Sequence, residues 1–403
     1  MRPLALALDP RSKLFILLLG SLTAMTALSI DMSLPALPLL ATTLHIPADR
    51  AQLTLSLFLL GFALGQLVVG PASDRFGRRP VLLLGLLGFT LAGVGCARSQ
   101  GIEALILCRF LQGATACVGP VLGRAVVRDH FSADRAAALL SSLIVVLAVA
   151  PLVAPMIGGQ LLQRFTWHAI FWALAFAGLA LFGLTAVFLG ESLPSPDRRA
   201  HGPAEIARSF GVFLRNRESL THALIIFFVF GAQFAYISGS PFVVIEVFGV
   251  APARYGLFFG ATAICLIFGA AANGRLLRRH TSARLLRIGL FVTAFAGAAL
   301  ALAALVGAGL FAILGPLMLF FFGLGLVMPN ATAAALQPMG RTAGVASALL
   351  GVFQMAGGAL AGWAVSALYD RSARPMAFTV GALAAAALLV HAARLRPTRV
   401  DAV

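Results

Sequence analysis

The chain has 403 residues, of which 60% are hydrophobic and 11% charged, with a mean hydropathy of +0.96 and a net charge of +16. A water-soluble domain cannot cover its surface from so small a polar supply, so lipid must be the main solvent. The basic excess is scattered between apolar runs instead of gathered on one patch, which argues against nucleic acid as a partner.

Apolar stretches long enough to cross a hydrocarbon core of about 30 Å as helices recur near residues 14–39, 51–73, 80–98, 102–125, 136–162 and 167–190. A polar segment, 191–218, follows, and then six more stretches near 219–247, 253–275, 284–308, 310–332, 341–368 and 375–395. The first stretch follows Arg11 and Lys13 as a signal peptide would, but it runs on without an A-x-A cleavage site and reads as an uncleaved first helix. Barrel strands would be shorter and alternating. The expected fold class is all-α integral membrane, with twelve transmembrane helices in two six-helix bundles. Residues 1–190 and 219–403 form the bundles, and 191–218 is a cytoplasmic linker.

With the N-terminus placed in the cytoplasm, 23 of the 30 Lys and Arg residues fall in inner segments and 6 in outer ones, leaving Arg109 inside a span. This asymmetry is the positive-inside pattern, and it places both termini in the cytoplasm. Cys96, Cys108, Cys117 and Cys265 form no CxxC pair, so neither a disulfide framework nor a zinc site is indicated. The sequence offers no nucleotide loop and no Ser/His/Asp arrangement of an enzyme. No metal or organic cofactor is expected, and the proton gradient is the remaining energy source.

Two inner loops echo each other. GPASDRFGRRP carries Gly70, Asp74, Arg75, Gly77, Arg78 and Arg79 between the second and third spans. GAANGRLLRRH carries Gly269, Asn273, Arg278 and Arg279 at the same place in the second half. Such parallel repeats mark secondary transporters built from two similar bundles.

GPASDRFGRRP closely resembles the signature loop of the major facilitator superfamily. RFLQGATACVGP (109–120) is similar to the fourth-helix motif of that superfamily's proton-coupled exporters, and APLVAPMIGG (150–159) to its fifth-helix antiporter motif. IDMSLPALP, YISGSPFVV, MPNATAAAL and GVASALLG together resemble the Bcr/CflA (bicyclomycin and chloramphenicol resistance) exporters. The resemblance implies a multi-pass protein of the bacterial inner membrane that exports small, largely apolar antimicrobial compounds in exchange for protons. It departs from the pattern twice: Ala154 stands where a glycine usually precedes the fifth-helix proline, and Asn273 replaces the acid that the first half keeps as Asp74.

Asp31 is the only carboxylate well inside an apolar run, where a charge costs several kcal/mol unless it is paired or faces water. It is the candidate proton site, or else a solvated acid capping the Pro35–Pro38 break. Arg109 lies at a similar depth and is its candidate coupling partner, or else a structural arginine tied to backbone carbonyls. The resemblance implies that Asp74 docks near the inner end of the eleventh helix and holds one conformational state. Arg75 and Arg78 join it as switch residues or act only as topology signals, and Gly70 and Gly77 complete the loop. Pro151, Pro155, Gly158 and Gly159 bend and thin the fifth helix, as a gate or as ordinary helix packing.

Gln112, Gln233, Tyr236, Asn330 and Gln354 are the polar mid-span candidates for substrate contact, each with an interhelical hydrogen bond as the alternative. A cavity with so few polar anchors suits varied lipophilic drugs and suits a sugar poorly. Expected partners are a small-molecule drug and the lipid bilayer, with the chain working as a monomer. A proton symporter for a small metabolite is the competing reading. A membrane receptor would need a signalling domain that no stretch of this sequence supplies.

Overall fold

The computed structural model describes residues 8–10, 12–131, 133–193 and 203–394, and within these the side chains at 133–138, 140–148, 203–207, 209 and 340–345 lie outside the described set. Every regular element among the described residues is helical. Eleven helical segments among them are long and apolar enough to cross a membrane. Large apolar side chains stand out from the helices, as with Phe311, Leu84, Phe295 and Leu389. That is the pattern of helices solvated by lipid, and the chain is a multi-pass membrane protein.

By its contacts the chain separates into two compact units: Met1–Pro203 with Ala251–Leu257, and Ala204–Val250 with Phe258–Val403. In the first unit, α1 (Lys13–Asp31) begins at a Ser12 cap that accepts from Phe15 N–H at 3.2 Å. It ends at Asp31, and a short 3₁₀ turn, Leu34–Ala36, leads into α2 (Leu37–Thr43). The break has a local cause. Pro35 lacks the N–H that would return to the Asp31 carbonyl, and Ser33 N–H turns to Ile30 O at 3.2 Å. The Ser29 carbonyl is thereby left without its helical donor.

Then come α3 (Ala48–Phe76) and α4 (Arg78–Arg98), joined by Gly77 at φ 100°, a backbone region that favours glycine. The fourth span is divided at Cys117 into α5 (Ile102–Ala116) and α6 (Val118–His130). α7 (Ala133–Arg164) has 32 residues, long enough for a tilted span, and carries Pro151 and Pro155. α8 (His168–Phe188) closes the bundle. Within this unit α1 lies against α7, α3 against α5 and α4 against α8.

The polar segment 191–218 contains a helix, α9 (Pro203–Arg215), and residues 194–202 of it lie outside the described set. The second unit follows with α10 (Arg217–Pro241), capped by Asn216 and continued by a wider turn at Phe242–Val247. α11 (Pro252–Leu276) starts in the first unit and runs into the second. α12 (Ser282–Leu305), α13 (Leu310–Leu336), α14 (Ala343–Ala367) and α15 (Arg374–Arg394) complete it. Here α10 packs on α14 and α15, and α12 packs on α13 and α15.

Candidate functional site

Among the described residues of the first unit two polar constellations occur, and the more buried one surrounds the break after α1. Asp31 is 4% exposed, and among the described residues its carboxylate has neither an ion-pair nor a hydrogen-bond partner. Arg109, on α5 and 1% exposed, reaches the same break. Among the described residues its guanidinium makes no ion pair with Asp31 and is tied instead to a backbone carbonyl and two side chains. One terminal nitrogen donates to the freed Ser29 carbonyl at 3.2 Å and to Gln112 Oε1 at 2.8 Å, and the other donates to Ser33 Oγ at 3.4 Å. The guanidinium is thus occupied by the Ser29 carbonyl, the Ser33 hydroxyl and the Gln112 amide oxygen at the break.

Two aromatic rings flank the same cation, Phe58 of α3 at 4.4 Å and Phe171 of α8 at 5.6 Å from its centre. Such contacts contribute about 2 kcal/mol in a site without water. Gly113 allows the close approach of α5 to α3 behind this layer, since a Cβ there would strike the Phe58 carbonyl. From the other side Gly158 of α7 abuts the Met32 carbonyl, next to Asp31. Gly159 faces the Pro252 carbonyl, where its added Cβ would stand at 2.6 Å. Pro155 is buried and Pro151 half-buried on the same helix. The fifth-helix motif therefore packs against the break that carries the lone acid.

The second constellation lies at the α3–α4 loop. Arg78 binds Asp74 at 2.5 Å, Ser73 Oγ at 2.6 Å and Asp129 at 3.1 Å. Glu191 accepts from the backbone N–H groups of Arg78 at 2.9 Å and Arg79 at 3.3 Å, capping the start of α4. Ser192 donates to Asp129 at 2.9 Å. Arg75 is exposed and lies over the ring of Phe76. A Cβ on Gly70 would meet nothing within 4 Å. The expected docking of Asp74 beside the helix that follows Arg341 involves a side chain outside the described residues.

In the second unit the candidates have separate surroundings. Asn330 donates to Asn273 Oδ1 at 2.6 Å and to Leu326 O at 2.7 Å, and accepts from Ser282 Oγ at 2.7 Å. It ties α13 to the end of α11 and the start of α12, with its amide engaged by protein. Tyr236 is buried between Phe259 and Phe321, and its hydroxyl accepts from Thr262 Oγ1 at 3.3 Å. Gln233 and Gln354 are half-buried on α10 and α14. Gln112, in the first unit, is fully enclosed and serves Arg109.

Sequence reasoning missed Phe58, Phe171, Ser29 and Ser33 around Arg109, and Asp129 and Glu191 around Arg78. The two acids had a readable signal. Each follows an even-numbered apolar run, as Asp74 does, and Asp74 and Asp129 both bind Arg78 while Glu191 caps the start of α4. The aromatic pair had none, because 31 phenylalanines lie scattered through the spans.

Comparison with known proteins agrees with this architecture. The sequence pattern of the Major Facilitator Superfamily matches residues 19–362. An uncharacterized MFS-type transporter of Bacillus subtilis, YdgK, is 38% identical over 340 residues, covering 84% of this chain and 85% of that protein. A bicyclomycin resistance protein homolog of Haemophilus influenzae is 32% identical over 378 residues, covering 94% and 95%. The Escherichia coli xylose transporter XylE, in a partially occluded inward-open conformation, shares the fold at a TM-score of 0.73 and 14% identity, over 95% of this chain and 98% of that one. Loop signature, helical architecture and relatives agree, and the chain belongs to the Major Facilitator Superfamily of membrane transporters, in its Bcr/CflA-like branch.

Proposed function

We propose that this transporter is a proton-coupled multidrug antiporter that exports small, largely apolar antimicrobial compounds by alternating access. The observation that carries the reading is Asp31, a buried carboxylate at the break of the first span that has no partner among the described residues. An anion there is costly, so its proton occupancy depends on which side admits water. A proton taken from outside accompanies drug release, and its loss to the cytoplasm readies the site for the next drug. Arg109 supports the cycle by fixing the broken backbone around the acid and not by pairing with it. The name of the Haemophilus relative, a bicyclomycin resistance protein homolog, supports a drug substrate.

The reading includes twelve spans, with α7 as the fifth, and cytoplasmic termini in the bacterial inner membrane. The chain acts as a monomer, with the proton as its only coupling ion. Gln233 and Gln354 are the remaining candidates for substrate contact in the second unit.

Everted vesicles holding a preformed pH gradient test the proposal. Adding chloramphenicol or bicyclomycin should dissipate the gradient with the native protein, and Asp31→Asn should abolish the response at equal protein level. A native-like response from Asp31→Asn would remove the proton assignment. Accumulation of the drug by energised whole cells would replace export with uptake.

A further inference from the structure

The second unit holds a basic cluster that takes no part in the proposed cycle. It lies where α10 and α12 begin and α15 ends. Glu218 binds Arg394 at 2.6 Å, and Arg394 donates its other terminal nitrogen to His222 Nε2 at 3.2 Å. His222 Nδ1 meets the Glu218 carbonyl at 2.8 Å, a contact that places the ring proton on Nδ1 and leaves Nε2 as acceptor. Within this group Glu218 offsets Arg394 and His222 adds no charge.

His391 stands beside it, one turn before Arg394 on α15. It is 6% exposed, and both ring nitrogens are buried without a hydrogen-bond partner. α12 packs on α15 here, and the guanidinium groups nearest His391 are those of Arg287 of α12 and Arg394, with the neutral His222 beside them. Arg287 is exposed and makes no ion pair among the described residues. An imidazole lacking a partner, flanked by an uncompensated guanidinium, forms a site for an anion with acceptor oxygens.

What surrounds the cluster selects the kind of anion. Arg287 and Phe291 lie one turn apart on a single stripe of α12. Phe291 is 57% exposed, and the adjacent Ile288 is also exposed. Cationic groups thus meet a lipid-facing apolar surface at the end of the bundle. Basic pockets between transmembrane helices at a membrane boundary bind lipid headgroups in this way.

We propose that Arg287, His391 and Arg394 bind the phosphodiester headgroup of an anionic phospholipid, whose acyl chains lie along Ile288 and Phe291. A ring N–H of His391 donates to a phosphate oxygen, Arg287 supplies the uncompensated charge, and Arg394, held by Glu218, borders the site. The proposal rests on the chain being embedded in lipid and not on what it transports.

Titration of the purified full chain in detergent micelles with headgroup-labelled phosphatidylglycerol tests it, with phosphatidylcholine and inorganic phosphate as competitors. Unlabelled phosphatidylglycerol should displace the probe and the other two should not. Arg287→Gln should weaken binding about fivefold, the effect of one basic residue near an anionic surface. His391→Leu, which keeps the packing, should weaken it too, whereas Arg275→Gln on α11 should bind as the native chain does. Equal displacement by inorganic phosphate would overturn the lipid assignment. Native affinity in Arg287→Gln, or an equal loss in Arg275→Gln, would overturn the site.

Discussion

Arg109 shows how a single cation serves a broken helix. It meets a carbonyl, a hydroxyl, an amide and two aromatic rings at once. A planar fork with two faces can do this, and a lysine ammonium cannot. Arg109→Lys is expected to lower transport about tenfold through loss of the forked hydrogen bonds to the break, measured as drug-driven dissipation of the pH gradient at matched expression. Asn330 has another character. Its amide is engaged on both sides by protein, so Asn330→Ala leaves Asn273 and Ser282 with a missing partner, at a cost of about 1–3 kcal/mol. Thermal melting should register that loss while the relative ranking of exported drugs stays unchanged. A change in ranking would make Asn330 a substrate residue after all.

At the scale of elements, α7 matters through what it leaves out. Gly158 gives the Met32 carbonyl room beside Asp31, and any larger side chain must push α7 and α1 apart. Gly158→Val should abolish drug resistance and lower the yield of folded protein. Gly70→Ala should fold as the native chain does, because nothing stands within 4 Å of the new methyl group. The start of α4 depends on Glu191, whose carboxylate caps two backbone N–H groups. Glu191→Gln replaces charge-assisted bonds by neutral ones, at about 1–2 kcal/mol. Faster hydrogen exchange confined to the first turn of α4 would show it, and unchanged exchange there would dismiss the cap.

For the molecule as a whole, the apolar membrane helices were legible in the sequence because lipid imposes one rule on every span: about 20 apolar residues bounded by charge. The repeat was legible too, since both halves keep their glycine and arginine pair around Asp74 and Asn273. The partners of Arg109 were not. Depth along two helices gives the height of a side chain but not its rotation about the axis, and rotation separates Ser33 from Asp31. Asn330 stayed open between substrate contact and an interhelical hydrogen bond for a related reason, because a polar residue near mid-sequence of a span looks alike whether it lines a cavity or joins helix ends. Helix α9 lay hidden in a segment whose polarity matched a linker as well as a surface helix.

The vacated Ser29 carbonyl separates two kinds of vulnerability within one turn of chain. Arg109 supplies the donor that the interrupted helix lacks, so its replacement harms the fold before it harms the cycle. Among the described residues the Asp31 carboxylate makes no bond that holds the bundle, and a neutral amide there relieves a burden on assembly. A mutational survey scored on protein abundance would therefore mark the arginine and pass over the acid, while one scored on antibiotic tolerance would mark both.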